Sequence, residues 1–133
     1  MAGTFMLEIV TPEDRLLKDE IQFVVVPEIN GELGVLRNHA PLIAALDIGV
    51  LRYTDPNGAI KKMAVSGGFM EVMDNEARIL AETAEHGSKI DVLRAKAAKE
   101  RAEARIAAKA AETDMKRAEL ALYRSIARIR AAE

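Results

Sequence analysis

The sequence predicts a β-rich domain, a sandwich or a barrel, followed by a wholly helical segment. Three observations predict it. All eight Gly and all four Pro fall within residues 1–87, and none follows. Of the 44 residues from Ile90 to Glu133, 14 are Ala. Charge divides at the same place: residues 1–89 carry 8 basic and 14 acidic side chains, a net of −6, whereas residues 90–133 carry 11 and 7, a net of +4. Turn-forming residues at short intervals, followed by none at all, mark a change of architecture near residue 88.

In the first part, Phe5, Leu7 and Ile9 alternate with Met6, Glu8 and Val10, the period of two expected of a strand. Ile21 to Val26 is a β-branched and aromatic run that Pro27 closes. Ile48 to Tyr53 runs into Asp55-Pro56-Asn57-Gly58, a strong turn sequence, and Ile60 to Val65 follows, so the two runs pair as a hairpin. Gly67-Gly68 marks a bulge or a bend. Phe69 to Met73 and Ala77 to Ala81 are two further strands joined at Asp74-Asn75. Many short strands with close turns are the pattern of a sandwich or barrel. With no Trp and three Phe, the core is poor in large aromatic anchors.

In the second part, Ser88 is placed as a helix N-cap, with Asp91 three residues on as the acid of a capping box. Met115, Ala118, Leu122, Ile126 and Ile129 recur at helical spacing and form one face. Leu93, Ala97, Ala104, Ala108 and Ala111 form a thinner stripe upstream. Glu112-Thr113-Asp114 is the candidate turn between two helices, and it lacks Gly and Pro. A single straight helix of this length would reach about 66 Å. Local sequence leaves both the straight and the folded-back states open, which makes the segment a candidate two-state element.

Several function classes are excluded. There is no Cys, hence no disulfide, no thiolate metal site and no cysteine nucleophile. The start of the chain has neither a basic nor an apolar region of a secretory signal, and no stretch is apolar enough to span a membrane. Neither a Walker loop nor a glycine-rich dinucleotide fingerprint is present. His39 and His86 have no ligand-spaced partners, and His39, before Ala40-Pro41, reads as a loop hydrogen-bonder. Ser66 lacks a nucleophile elbow, and Glu71, Glu82 and Glu85 are scattered carboxylates. No enzyme active site is legible. A nucleic-acid-binding module with a basic helical arm is an alternative, but the balance of 19 basic against 21 acidic residues and the few aromatics oppose it.

The arginines of the tail remain. Arg94 and Arg101 share a helical face, as do Arg124 and Arg128. If the helices fold back, four guanidinium groups can converge on an anion, and Arg forks suit phosphate oxygens. The plain alternative is that they solvate an exposed helix beside Glu100, Glu103 and Glu119.

Gly31-Glu32-Leu33-Gly34-Val35-Leu36 followed by His39-Ala40-Pro41-Leu42, then Ser66-Gly67-Gly68-Phe69-Met70-Glu71-Val72, and Lys116-Arg117-Ala118-Glu119-Leu120-Ala121-Leu122 in the tail, together resemble the epsilon subunits of bacterial F-type ATP synthases. The likeness runs the length of the chain. It implies a ten-stranded β-sandwich over residues 1–86 and an antiparallel two-helix hairpin over 87–133, with helices at about 90–111 and 114–131. It implies a non-catalytic rotor-stalk subunit at the cytoplasmic face of the bacterial plasma membrane, touching the gamma subunit and the c-ring. In an extended state the helices would reach the alpha and beta subunits and hinder ATP hydrolysis, with Arg105, Lys109, Lys116 and Arg117 meeting their carboxylates.

Ile90-Asp91-Val92-Leu93-Arg94-Ala95 further resembles the Ile/Leu-Asp-x-x-Arg-Ala pattern of epsilon subunits that bind ATP as a regulatory ligand, with or without Mg2+. The site so implied comprises Glu85, Ile90, Asp91, Arg94, Ala95, Arg101, Arg124 and Arg128. Ile90 and Ala95 would flank the adenine, Glu85 and Asp91 would accept from its amino group, and the four arginines would meet the phosphates. Asp91 can also be the cap acid alone. Gly87, next to His86, is expected to loosen this site. A brake not controlled by ATP is the alternative within the family.

Overall fold

The structure, a computed structural model, describes residues 3–109 and 114–133. The order is β1 (Phe5–Val10), β2 (Arg15–Ile21), β3 (Phe23–Glu28), β4 (Gly31–Leu36), β5 (Leu42–Ala45), β6 (Gly49–Thr54), β7 (Ile60–Met73) and β8 (Glu76–His86). A 3-10 turn (Gly87–Lys89) follows, then α1 (Val92–Ala108) and α2 (Met115–Ala132).

The described chain has eight strands, not ten. The difference lies in β7 and β8, which run unbroken through both layers of the sandwich. The first half of β7 pairs with β6, from Thr54↔Ile60 to Gly49↔Val65. Its second half pairs with β5, from Ala45↔Phe69 to Leu42↔Val72. β8 follows β7 throughout and takes β1 on its other side, in parallel from Met6↔Glu76 to Val10↔Leu80. Counted by layer, the two long strands contribute twice, which recovers ten segments. The crossing point is Gly67-Gly68, both at positive φ, 71° and 108°. Ser66↔Thr83 and Gly68↔Ala81 stay in register across it, so it is a bend and not a bulge.

The hairpins follow from their turns. Asp55 Oδ1 accepts from the amides of Asn57 and Ala59 at 2.9 Å, closing the β6–β7 turn. Asp74 and Asn75 have φ of 52° and 59°, the left-handed pair of a two-residue hairpin. Pro27 does not end the β3 run: it pairs opposite Glu32 of β4, and the break falls at Gln22 instead. β3 meets β6 only from Phe23 to Val25, so Pro27 lies past that ladder and its missing N–H costs little.

The core is aliphatic. Leu7, Ile9, Ile21, Leu51, Met63, Met70 and Ile79 are fully buried between the layers, with Phe5 and Tyr53 as the buried aromatics. Glu8 is buried too, held by Arg78 at 2.9 Å and Arg15 at 3.3 Å. Burial, with Asp19 and Asp55 adding to it, pushes the Tyr53 hydroxyl above its ordinary pKa of 10.0. Its contribution to stability is therefore complete below about pH 10 and is lost as pH rises through the raised value. A Tyr53→Phe variant should flatten the alkaline fall of a thermal-unfolding series recorded against pH.

α2 lies on β6 and β7, and α1 packs chiefly on α2. Ile90, just before α1, meets Ala131 at the end of α2, so the helices are antiparallel. The N-cap of α1 is Asp91, not Ser88, which lies in the 3-10 turn; Asp91 Oδ1 accepts from the Arg94 amide at 3.1 Å. Asp114 caps α2 in the same way through the Arg117 amide at 3.0 Å. The expected α1 stripe is on the wrong face. Leu93 is 80% exposed and Ala97, Ala104 and Ala108 are exposed, whereas Ala95 and Ala102 are buried against α2. On α2, Ala118 is buried as expected, but Met115, Leu122, Ile126 and Ile129 are half-buried and Ser125, Ala127 and Ala131 are the buried partners. Close helix approach is made by small residues, so the buried face is the one that large apolar residues leave. Ala111 and the candidate turn residues Glu112 and Thr113 lie outside the described residues.

Candidate functional site

A cavity of about 380 Å³ opens between β7, β8 and the two helices. Ser66 and Thr83 line it from the sheet, Ala98 from α1, and Arg124 and Arg128 from α2, with Glu85 at its edge on β8. Glu85 and Arg128 are an ion pair: Nε donates to Oε1 at 3.1 Å and Nη2 lies 3.0 Å from the same oxygen. Both side chains are partly exposed, so the pair is worth on the order of 1 kcal/mol.

Of the eight residues the sequence singles out, three meet at this cavity: Glu85, Arg124 and Arg128. The other five stand elsewhere. Arg94 and Arg101 are exposed on α1 and do not line it. Asp91 uses Oδ1 to cap α1. Ala95 is 1% exposed in the seam between helices, and Ile90 packs with Ala64 and Ala131. Neither leaves an open face for a base. Gly87 does not loosen the region. Its Cα lies so close to the Ala131 carbonyl that a Cβ would overlap it and would lie 3.1 Å from the Lys62 carbonyl. Gly87 is there for close packing of α2.

The sequence reading missed Ser66 and Thr83 as lining residues, and Ser125, whose hydroxyl donates to the Leu122 carbonyl at 2.8 Å. In the residue pattern Ser66 stands out only as a hydroxyl without a nucleophile elbow. The signal that could have found it is register: Ser66 opposes Thr83 across β7 and β8. His39 fulfils the loop role, with Nδ1 2.7 Å from the Ala40 carbonyl. A second, more open groove of about 830 Å³ flanks the other side of α2, where Asp47, Arg52, Lys62 and Arg130 mix both signs of charge beside Leu120 and Tyr123. Among the described residues there is no cluster of metal-ligating side chains, and no helix is long and apolar enough to cross a membrane.

Known proteins fit this architecture. The family model for the ATP synthase delta/epsilon chain β-sandwich domain matches residues 4–87, and the model for its long alpha-helix domain matches 88–133. The ATP synthase epsilon chain of Syntrophomonas wolfei is 67% identical over 131 residues, covering 98% of this chain and 96% of that one. That of Desulfitobacterium hafniense strain Y51 is 58% identical over 132 residues, with 99% and 98% covered. A chain in the Euglena gracilis mitochondrial ATP synthase, 23% identical, superposes with a TM-score of 0.86 over 100% of this chain and 84% of that one, a likeness of fold. Two domain models in tandem and full-length relatives at this identity lead to one conclusion: the chain belongs to the family of ATP synthase epsilon chains.

Proposed function

We propose that the chain is a non-catalytic central-stalk subunit whose helical hairpin is a brake on ATP hydrolysis, and that ATP in the cavity between sandwich and hairpin holds the brake off. The observation that carries this reading is the composition of the cavity wall: it needs β8, α1 and α2 together, and it presents Arg124 and Arg128. A ligand there binds only the docked hairpin and stabilises it by RT ln(1 + [L]/Kd), about 2.7 kcal/mol at a hundred times Kd. Released, the hairpin would carry Arg105, Lys109, Lys116 and Arg117 toward acidic surfaces of the alpha and beta subunits, a contact that high salt should weaken. Exposed Phe69 and Leu80 face each other across β7 and β8, with exposed Ile43 diagonal to them on β5. Such an apolar patch suits docking on the gamma subunit beside the c-ring, which would hold the chain peripherally at the membrane.

The test is calorimetric titration of the full chain with ATP, with ADP and GTP as controls. Saturable binding that prefers ATP is the expected result. Arg124→Ala should weaken it by roughly tenfold or more, as expected for a lost charged hydrogen bond. Arg94→Ala should cost less, because Arg94 does not line the cavity. Unchanged titrations for both variants would sink the nucleotide reading.

One observation favours the second reading, a brake not governed by ATP. Ile90 and Ala95, the residues that would flank the base, are committed to packing. Absence of binding at millimolar ATP would select it.

A further inference from the structure

Two Asn-Gly pairs occur in the sequence, Asn30-Gly31 and Asn57-Gly58, and both sit at exposed hairpin turns. In such a pair the Gly amide nitrogen can reach the Asn carboxamide, because Gly has no Cβ to obstruct the approach. The fold treats the two pairs differently. At the β3–β4 turn Glu28 holds the reacting residue: its Oε2 accepts from the Asn30 amide at 3.0 Å and its Oε1 from Asn30 Nδ2 at 3.4 Å. Gly31 is also the first rung of the β3–β4 ladder, opposite Glu28. At the β6–β7 turn the Asn57 carboxamide has no hydrogen-bond partner among the described residues. Gly58 lies outside the ladder, which ends at Thr54↔Ile60, and the space where its Cβ would stand is empty. Asp55 alone restrains this turn. Its Oδ1 holds the Asn57 and Ala59 amides, and its carbonyl accepts from the Gly58 amide at 3.0 Å.

We propose that Asn57 is a self-modification site, converting without an enzyme to aspartate and isoaspartate, and that Asp55 sets its rate. The Gly58 amide gives its proton to hydroxide, and the nitrogen attacks Asn57 Cγ. The Cγ–Nδ2 bond breaks, and the departing nitrogen takes a proton from water and leaves as ammonia. A five-membered succinimide remains. Water then opens the ring. Addition at Cγ gives aspartate with the main chain intact. Addition at the main-chain carbonyl carbon of residue 57 gives isoaspartate, whose peptide bond runs through the former side chain. Nothing is oxidised or reduced. Gly58 must first leave the Asp55 carbonyl, so the reaction proceeds from the locally opened turn, and hairpin tips open at low free energy. Either product places a second carboxylate beside Asp55, and isoaspartate also lengthens the main chain. Both loosen the turn that joins β6 to β7. The inference is independent of the nucleotide reading.

The experiment ages the folded full chain in mildly alkaline buffer, beside Asp55→Ala and a wild-type sample unfolded in urea. Peptide mapping by mass spectrometry reads the exchange of NH2 for OH at Asn30 and Asn57 separately. An isoaspartyl methyltransferase with labelled S-adenosylmethionine reads the isoaspartate. In urea the two pairs should convert at comparable rates, since both are Asn-Gly. In the folded chain Asn57 should convert about tenfold faster than Asn30, the factor expected when one site keeps a hydrogen bond to a charged group and the other has none on its carboxamide. Methyl label should fall on the peptide that holds residue 57. Asp55→Ala should speed Asn57 by about threefold to tenfold and leave Asn30 unchanged. Circular dichroism checks that this variant keeps its strands; should it unfold, the ratio of the two sites in the folded wild type decides alone. Conversion of Asn30 as fast as Asn57 in the folded chain would overturn the proposal. So would an Asn57 that stays intact there while the urea sample converts. An Asn57 rate that Asp55→Ala leaves unchanged, with the strands kept, would overturn the role of Asp55.

Discussion

Gly68→Ala is expected to unfold the sandwich at a markedly lower temperature than any surface substitution. Gly68 has a φ of 108°, a conformation that costs an L residue strain of order 1–3 kcal/mol. A Cβ there would also overlap the Leu80 carbonyl and lie 2.8 Å from the Ala81 Cα. Both neighbours are backbone of β8 and cannot rotate away, and overpacking of this kind adds about 1–3 kcal/mol. The position is the bend at which β7 leaves the β6 layer and joins the β5 layer, so relaxation would disturb both ladders. A combined loss of roughly 2–6 kcal/mol follows, a large part of the stability of a small domain. Thermal unfolding by circular dichroism at the strand signal measures it. A shift of only a degree or two would show that the bend has slack.

Gly87→Ala should have the opposite distribution: little effect on the sandwich and a large one on the hairpin. Gly87 is buried beneath the end of α2, with the Ala131 and Lys62 carbonyls against its Cα. The apolar cluster at this latch is small, Ala64, Ile90 and Ala131, with Val50 and Ala132 packed on it. So little buried area gives a modest docking energy, and about 1–3 kcal/mol of overpacking is comparable to it. Hydrogen exchange of the α2 amides should accelerate about tenfold or more while the β1 and β8 amides keep their protection. Under the proposal that ATP binds only the docked form, its apparent affinity should fall in proportion to the fraction of hairpin that remains docked. Equal loss of protection in sheet and helix would mean that Gly87 serves the whole fold.

The two-part architecture was legible because Gly and Pro punctuate strands and are absent from the tail. The β6–β7 and β7–β8 hairpins were legible from Asp55-Pro56-Asn57-Gly58 and Asp74-Asn75. β2, β4 and β5 were not read as strands from the residue pattern. β2 carries Lys18, Asp19 and Glu20 in succession, the charge of an edge strand that periodicity does not detect, β4 lies at the other edge, and β5 is four residues long. The α1 face was misread because Ala occurs on every side of that helix, so its apolar positions do not single out the buried stripe. At the site, Arg124 and Arg128 were legible by spacing, and Glu85 came from the family pattern. That Ile90 and Ala95 are committed to packing depends on how the hairpin settles on the sheet, a tertiary matter no local pattern encodes. Gly87 was read as flexible because sequence shows a missing side chain and not the carbonyl that fills its place.

The central claim is that nucleotide and docked hairpin stabilise each other. The most direct measurement is hydrogen exchange at the amides of Ala127, Arg128 and Ala131 in the full chain, with and without ATP. At a ligand concentration a hundred times Kd, the account predicts about a hundredfold slower exchange there, with β-sandwich amides unchanged. Protection of α2 that is the same in both samples, although calorimetry shows ATP bound, would contradict it.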